Sequence, residues 1–222
     1  MALKQSAQDY LKAIFSLGKG KRDQLIKVSD ISRKLDVSPA AVTEMIKKLE
    51  TQRYVKNSPY KGVELTTEGF AVGRNMTRHH RLWELFLFQE LGVPWDRVHE
   101  EAERLEHACS DYLLDRIEEK LGFPQFDPHG NPIPDRKGHI PEIVNERPLS
   151  ACKPGDRVEV VRVIDLDGGF LIHLEAMGIH LRAQLTVDAV LDFDHTVMCR
   201  SEGRTLPLSQ RAAEHIFVKP LS

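Results

Sequence analysis

Seven of the chain's twelve prolines fall between Pro124 and Pro154, in the stretch FPQFDPHGNPIPDRKGHIPEIVNERPLSACKP. Proline has no N–H to donate and its ring clashes with the preceding helical turn, so neither a continuous helix nor a central strand crosses this segment. It therefore divides the 222 residues into two halves of different character. The first half carries helical periodicity throughout, interrupted once at YVKNSPYKGVELT; the second offers DRVEVVRVI, QLTVDAVLDF and HTVMCRS, rich in Val and bounded by Gly or Asp. The expected fold is a mainly α part followed, after a proline-rich linker, by a small all-β barrel. With 41% hydrophobic and 29% charged residues, each half has the material for its own core. The formal charge of −2 provides no global basic field, so any contact with nucleic acid has to come from a local patch. No stretch approaches the ~18 uninterrupted apolar residues of a membrane span, and MALKQSAQDYLKAIF is no secretion signal, which predicts a cytoplasmic protein with no membrane partner. Cys109, Cys152 and Cys199 are odd in number and widely spaced, as reduced thiols are, rather than a disulfide framework.

A DNA-reading motif stands in VSDISRKLDVSPAAVTEMIKKLETQRYV. Val28 to Leu35 forms a short amphipathic helix, DVS turns the chain, and Ser38 caps a second helix that begins at Pro39, where a missing N–H costs nothing. In the second helix Val42, Ile46 and Leu49 recur at i, i+4 and i+7 and face a core, leaving Ala40, Thr43, Glu44, Lys47 and Lys48 outward for a major groove. YVKNSPYKGVELTTEG then alternates and turns as a two-stranded wing, with Tyr60 and Lys61 at its tip. Lys47, Lys48, Arg53, Lys56 and Lys61 supply the local positive charge that fixes register on phosphates, while Thr43 and Glu44 are placed for base edges.

Farther along, VHEEAERLEH holds two histidines and four glutamates in ten positions. On one continuous helix His99, Glu103, Glu106 and His107 fall within an arc of roughly 100°, beside an apolar stripe rather than opposite it. In MTRHHRLWELFLFQEL the stripe of Met76, His80, Glu84, Leu87 and Leu91 is interrupted by a histidine and a carboxylate one turn apart. A polar pair on a buried side needs a partner. Mutual hydrogen bonding would satisfy it, as would a metal ion shared with the neighbouring donors. His79 points about 100° away from His80 and is left out of the donor set. Asp9, three residues after Ser6, has by itself the spacing of a residue supporting a helix N-terminus.

Taken together, VSPAAVTEMIKKLE, YKGVELTTEG, HRLWE, VHEEAERLEH and DPHGNPIP resemble the diphtheria toxin repressor family of metal-dependent transcriptional repressors, over roughly residues 5 to 135. The wing is most similar to the manganese transport regulator branch, and the β-rich remainder to the SH3-like domain, related to ferrous-iron-transport accessory proteins, that some members carry. The resemblance implies a winged helix-turn-helix domain at residues 1–72, a helical metal-binding and dimerisation domain at 73–140, and an SH3-like β domain at 141–222. It implies a homodimer on a palindromic operator, a main metal site of Asp9, Glu103, Glu106 and His107, and an ancillary site of His80, Glu84 and His99 to which Asp167 is the nearest candidate from the β domain. Members that respond to iron place Met and Cys where this chain has Asp9 and Glu103, so the main site here is built from carboxylates and imidazole, which predicts manganese(II) first and iron(II) second. The manganese branch carries a further acid where this chain has Lys12, so a paired-ion site of that form is not expected.

The expected function is a regulator that senses manganese or iron and represses metal-homeostasis genes, with no catalysis and no organic cofactor. Di-iron carboxylate bundles need Glu-x-x-His on two helices and metallopeptidases need His-Glu-x-x-His or its inverse; EHACS and HEEAE fit neither. A metal-independent winged-helix regulator would keep the DNA motif and leave the donor pool without a role.

Overall fold

The computed structural model describes residues 3–164 and 168–221, which fall into two compact units. Asp167 lies outside the described residues. The first unit contains residues 1–82, 103–120 and 133–140. It opens with α1 (Gln5–Leu17), α2 (Val28–Leu35) and α3 (Pro39–Thr51), and a hairpin of β1 (Val55–Ser58) and β2 (Gly62–Leu65). The helix-turn-helix lies where the sequence places it: Ser38 Oγ accepts from Ala41 N at 3.2 Å, Pro39 takes the first helical position, and Asp36 turns the chain in the left-handed region at φ 51°. The wing pairs Val55 with Leu65 and Ser58 with Gly62, and Tyr60 at its tip is fully exposed. Leu11, Ile14 and Phe15 of α1 form one core with Ile31 of α2 and Val42, Ile46 and Leu49 of α3.

The next helices are α4 (Thr67–Leu91), α5 (Val98–Leu105) and α6 (Asp111–Lys120). Backbone meets backbone where α4 crosses α1: a Cβ on Gly73 would stand 2.5 Å from the Leu11 carbonyl oxygen, a spacing only glycine permits. The helix expected to run through VHEEAERLEH stops at Leu105, because the chain turns before Ser110, whose Oγ accepts from Leu113 N at 3.3 Å at the start of α6. Glu106 and His107 thus sit in a turn, and the single face expected to align them with His99 and Glu103 ends at that point.

The second unit contains residues 83–102, 121–132 and 141–222. Its six-stranded antiparallel sheet has the order β3-β8-β4-β5-β6-β7, built from β3 (Arg147–Pro148), β4 (Arg157–Val163), β5 (Gln184–Val190), β6 (Val197–Ser201), β7 (Arg204–Leu208) and β8 (Ile216–Pro220). The three strands read from the sequence are β4, β5 and β6. Among the described residues two short α-helices lie between its strands, α7 (Gly168–Ala176) after β4 and α8 (Gln210–His215) after β7, and the antiparallel sheet is the domain's framework, as expected. In α7 apolar residues surround the helix instead of lining one stripe, and in α8 the run is too short to show a period; Ser209 caps it, accepting from Ala212 N at 3.2 Å.

The cysteines follow this division. Cys152 and Cys199 are buried in the second unit's core, and burial, with Cys152 and Asp188 adding, pushes the Cys199 thiol up to about 12; Cys109 is half-buried. Only thiolate attacks a disulfide reagent. Native protein is expected to release colour from an aromatic disulfide reagent rapidly at one thiol per chain, Cys109, and at all three in denaturant; fast reaction at two or more native thiols would contradict the packing of that core.

Candidate metal centre

In the first unit one cluster draws on three segments. Asp9 comes from α1, Glu106 and His107 from the turn after α5, and His80 from α4. His107 Nε2 stands 2.8 Å from Asp9 Oδ1 and 3.3 Å from Glu106 Oε1, and its other ring nitrogen is 2.8 Å from Gln8 Oε1. Asp9, Glu106 and His107 can bring one donor atom each within 4.8 Å of the others. Such convergence of hard oxygen and imidazole donors is the chemistry that suits manganese(II) or iron(II). Lys12, one turn after Asp9 on α1, reaches both Glu106 oxygens at 2.7 and 2.9 Å, while His80 Nδ1 lies 2.6 Å from Glu106 Oε2. Glu103 stands at the rim, its side chain 55% exposed and 3.9 Å from Lys12 Nζ.

The two central acids differ because their surroundings differ. Burial raises the Asp9 carboxyl, with Glu106 adding to the rise, and the charges of His107 and Lys12 only partly oppose it. Burial would raise Glu106 too, but hydrogen bonding and charge from His80 and Lys12 outweigh it and hold that carboxyl below its ordinary range. Glu106 therefore remains an anion although its side chain is only 1% exposed.

Sequence reasoning passed over two residues of this cluster. Lys12 drew notice only as a departure from a family pattern, although its i+3 position puts it on the same face as Asp9. His79, excluded by its direction, is buried with Nδ1 3.2 Å from the Glu106 carbonyl oxygen and Nε2 3.2 Å from Asp111, and so fixes the turn that presents Glu106.

The second unit holds a further donor set. Glu84, Asp127 and His129 are each 3% exposed and can place their donor atoms within 4.8 Å of one another. Glu84 Oε1 also faces His99 Nδ1 at 3.0 Å, and His80 precedes Glu84 by one turn on α4. Asp127 Oδ1 accepts from the His129 and Asn131 N–H groups at 2.8 and 2.9 Å, closing a turn that Gly130 completes at φ 86°. The His129 ring stacks on Trp95 with centroids 5.4 Å apart, and its buried Nε2 has no hydrogen-bond partner among the described residues. A buried ring nitrogen without a donor or acceptor opposite it fits a metal ligand. Asp127 and His129 lie in the proline-rich stretch read as a plain linker; DPHGN was the legible signal, since Asp followed two residues later by a backbone donor and then by Gly makes a tight turn.

The residues expected to face DNA, Ser38, Pro39, Ala40, Thr43, Glu44, Lys47, Lys48, Tyr60 and Lys61, are all exposed. Thr43 Oγ1 donates to the Pro39 carbonyl at 2.8 Å, and Glu44 pairs with Lys48 at 2.7 Å, which lowers the Glu44 carboxyl. Glu44 thus carries an exposed i, i+4 ion pair with its helical neighbour.

Comparison with known proteins agrees with this architecture. Residues 2–63 match the iron dependent repressor N-terminal DNA binding domain, residues 66–135 the iron dependent repressor metal binding and dimerisation domain, and residues 147–220 the FeoA domain. An uncharacterised HTH-type transcriptional regulator of Methanocaldococcus jannaschii is 36% identical over 115 residues, 52% of this chain and 91% of that protein. The HTH-type transcriptional regulator MntR of Geobacillus kaustophilus is 34% identical over 122 residues, 55% of this chain and 84% of that protein. A solved manganese-dependent transcriptional repressor in complex with manganese superposes with a TM-score of 0.88 at 41% identity, covering 97% of this chain and all of that one. The chain belongs to the iron-dependent repressor family of metal-dependent, DNA-binding transcriptional repressors.

Proposed function

We propose that this repressor responds to manganese(II), acts in the cytoplasm as a homodimer on a palindromic operator, and controls genes of metal homeostasis. One observation carries the reading: the helix that supplies Asp9 to the donor cluster shares one buried core with the recognition helix α3. The ligands assigned to the main site are Asp9, Glu106 and His107, with His80 beside Glu106 and Glu103 at the rim; Glu84, His99, Asp127 and His129 make up the ancillary set. A divalent ion, when bound, supplies the positive charge that lets these acids converge.

The chain's own part is mechanical. Asp9 holds α1 against the turn after α5 through His107, and the buried residues Leu11, Ile14 and Phe15 pass that position to α2 and α3. In a dimer, fixing α1 fixes the separation of two α3 helices near the ~34 Å of one DNA turn. Ser38, Pro39, Ala40 and Thr43 present a small-residue approach to the groove, while Lys47, Lys48 and Lys61 meet phosphates and make binding steeply salt-dependent. A hundredfold metal-dependent gain in operator affinity requires a coupling of about 2.7 kcal/mol.

The test begins with duplexes selected by the full chain from a random pool in the presence of manganese. Their affinity is then measured with manganese, with iron(II) under anaerobic conditions, and with chelator. The expected result is an inverted repeat whose affinity rises about a hundredfold with manganese. Equal affinity with manganese and with chelator would overturn the reading.

A further inference from the structure

We propose that Lys12 is a tethered cation that competes with the incoming metal ion for Glu106 and so sets the concentration at which the main site fills. This rests on the main-site assignment made above and adds to it the device that tunes the site. Lys12 Nζ lies 2.7 and 2.9 Å from the two Glu106 oxygens, 3.4 Å from His80 Nδ1 and 3.9 Å from Glu103 Oε1. Both oxygens of one buried carboxylate are therefore engaged by a single ammonium, and a further acid and a ring nitrogen lie within 4 Å of it. Its neighbours are the oxygen and nitrogen atoms that a cation would seek.

The geometry gives Lys12 two opposed effects. Without metal, its charge neutralises a carboxylate whose side chain is 1% exposed and holds α1 to the turn that carries Glu106. A buried anion stripped of a charged partner is costly. With metal, the same ammonium has to withdraw, because the Glu106 oxygens cannot serve it and a divalent ion at full strength, and two cations sharing one carboxylate repel. The withdrawal is feasible, since the Lys12 side chain is 19% exposed and ends on a flexible four-carbon stem. Each ion that binds thus displaces a charge-assisted contact already made, and apparent affinity falls by the strength of that contact. In a sensor this places the response threshold above the level at which the bare donor set would fill.

The experiment uses the full chain and measures manganese binding by calorimetry, with free hexaaqua manganese counted by electron paramagnetic resonance. Variants are Lys12→Met, which keeps the stem and removes the charge, Lys12→Arg, which keeps the charge, and Glu106→Gln, which marks the main site. Lys12→Met is expected to bind the Glu106-dependent ion about tenfold tighter than the natural chain, as loss of one charge-assisted contact implies, and Lys12→Arg within about threefold of it. In chelator Lys12→Met is expected to melt below the natural chain, and with saturating manganese to gain more in melting temperature than the natural chain does. A residue that merely supported the fold would lower both stability and affinity together. If Glu106→Gln loses one ion while Lys12→Met binds that ion no more tightly, the competitor role is overturned and the site assignment stands. If Glu106→Gln binds as many ions as the natural chain, the site assignment itself fails.

Discussion

Glu106→Gln is expected to abolish the manganese response, bringing operator affinity with metal down about a hundredfold to the level measured in chelator. The substitution is nearly isosteric, so packing around a side chain 1% exposed is preserved while its charge is removed. Charge is what the position requires. Glu106 Oε1 lies 3.3 Å from His107 Nε2 and Oε2 lies 2.6 Å from His80 Nδ1, which makes Glu106 the residue that joins the histidines of α4 and of the following turn. An amide gives one oxygen where the carboxylate gave two and turns an N–H₂ toward the Lys12 ammonium or a ring nitrogen. His107→Ala is expected to act in the same direction, by removing the contact between Asp9 and the turn. Circular dichroism and the melting profile in chelator show whether the fold survives. Retained manganese stimulation in well-folded Glu106→Gln would show that the main site lies elsewhere.

The sequence made the fold legible where one residue has one local role. Ser38, Pro39 and the i, i+4, i+7 series of Val42, Ile46 and Leu49 mark a helix start and its buried face independently of everything else in the chain, and the structure has them in those roles. The donor residues were visible for a different reason: histidines and acids beside an apolar stripe have few purely structural uses. What sequence could not carry was partnership across long separations. Lys12 meets Glu106 over 94 positions, and nothing in SAQDYLKAI distinguishes that lysine from a solvated one. Asp127 and His129 were hidden by their setting, since a proline-rich stretch reads as exposed linker, yet both are buried in the second unit where Val163 N donates to the His129 carbonyl oxygen at 2.8 Å. The end of α5 at Leu105 was hidden as well. Periodicity continues through Glu106 and His107, and only the need to begin α6 at Asp111 stops the helix.

The close crossing of α1 and α4 gives the second large expected effect, in which a change remote from every proposed ligand disables the site. In an open helix Gly→Ala stabilises by about 1 kcal/mol, because alanine loses less backbone freedom on folding. At Gly73 the sign reverses. The added Cβ would lie 2.5 Å from the Leu11 carbonyl oxygen and 2.9 Å from the Phe15 Cβ, and the first of these is backbone within α1, which cannot rotate aside. Ordinary contact begins at 3.4 Å, so α1 has to retreat by roughly 1 Å or α4 has to bend. Retreat of α1 carries Asp9 and Lys12 with it, one two residues before Leu11 and the other next to it, away from His107 and Glu106. A hydrogen bond of 2.8 Å does not survive such a shift, and a site loosened by about 1 Å loses the convergence its ligands need. Overpacking of this kind costs about 1 to 3 kcal/mol, equivalent to a fall of several degrees in melting temperature for a chain of this length. Gly73→Ala is therefore expected to melt several degrees lower and to bind manganese at least tenfold more weakly, with metal-free affinity for DNA changed far less than the metal-stimulated part. Calorimetry and operator binding on one preparation measure all three. Lowered stability with unaltered manganese affinity would show that the spacing of α1 from α4 does not govern the site.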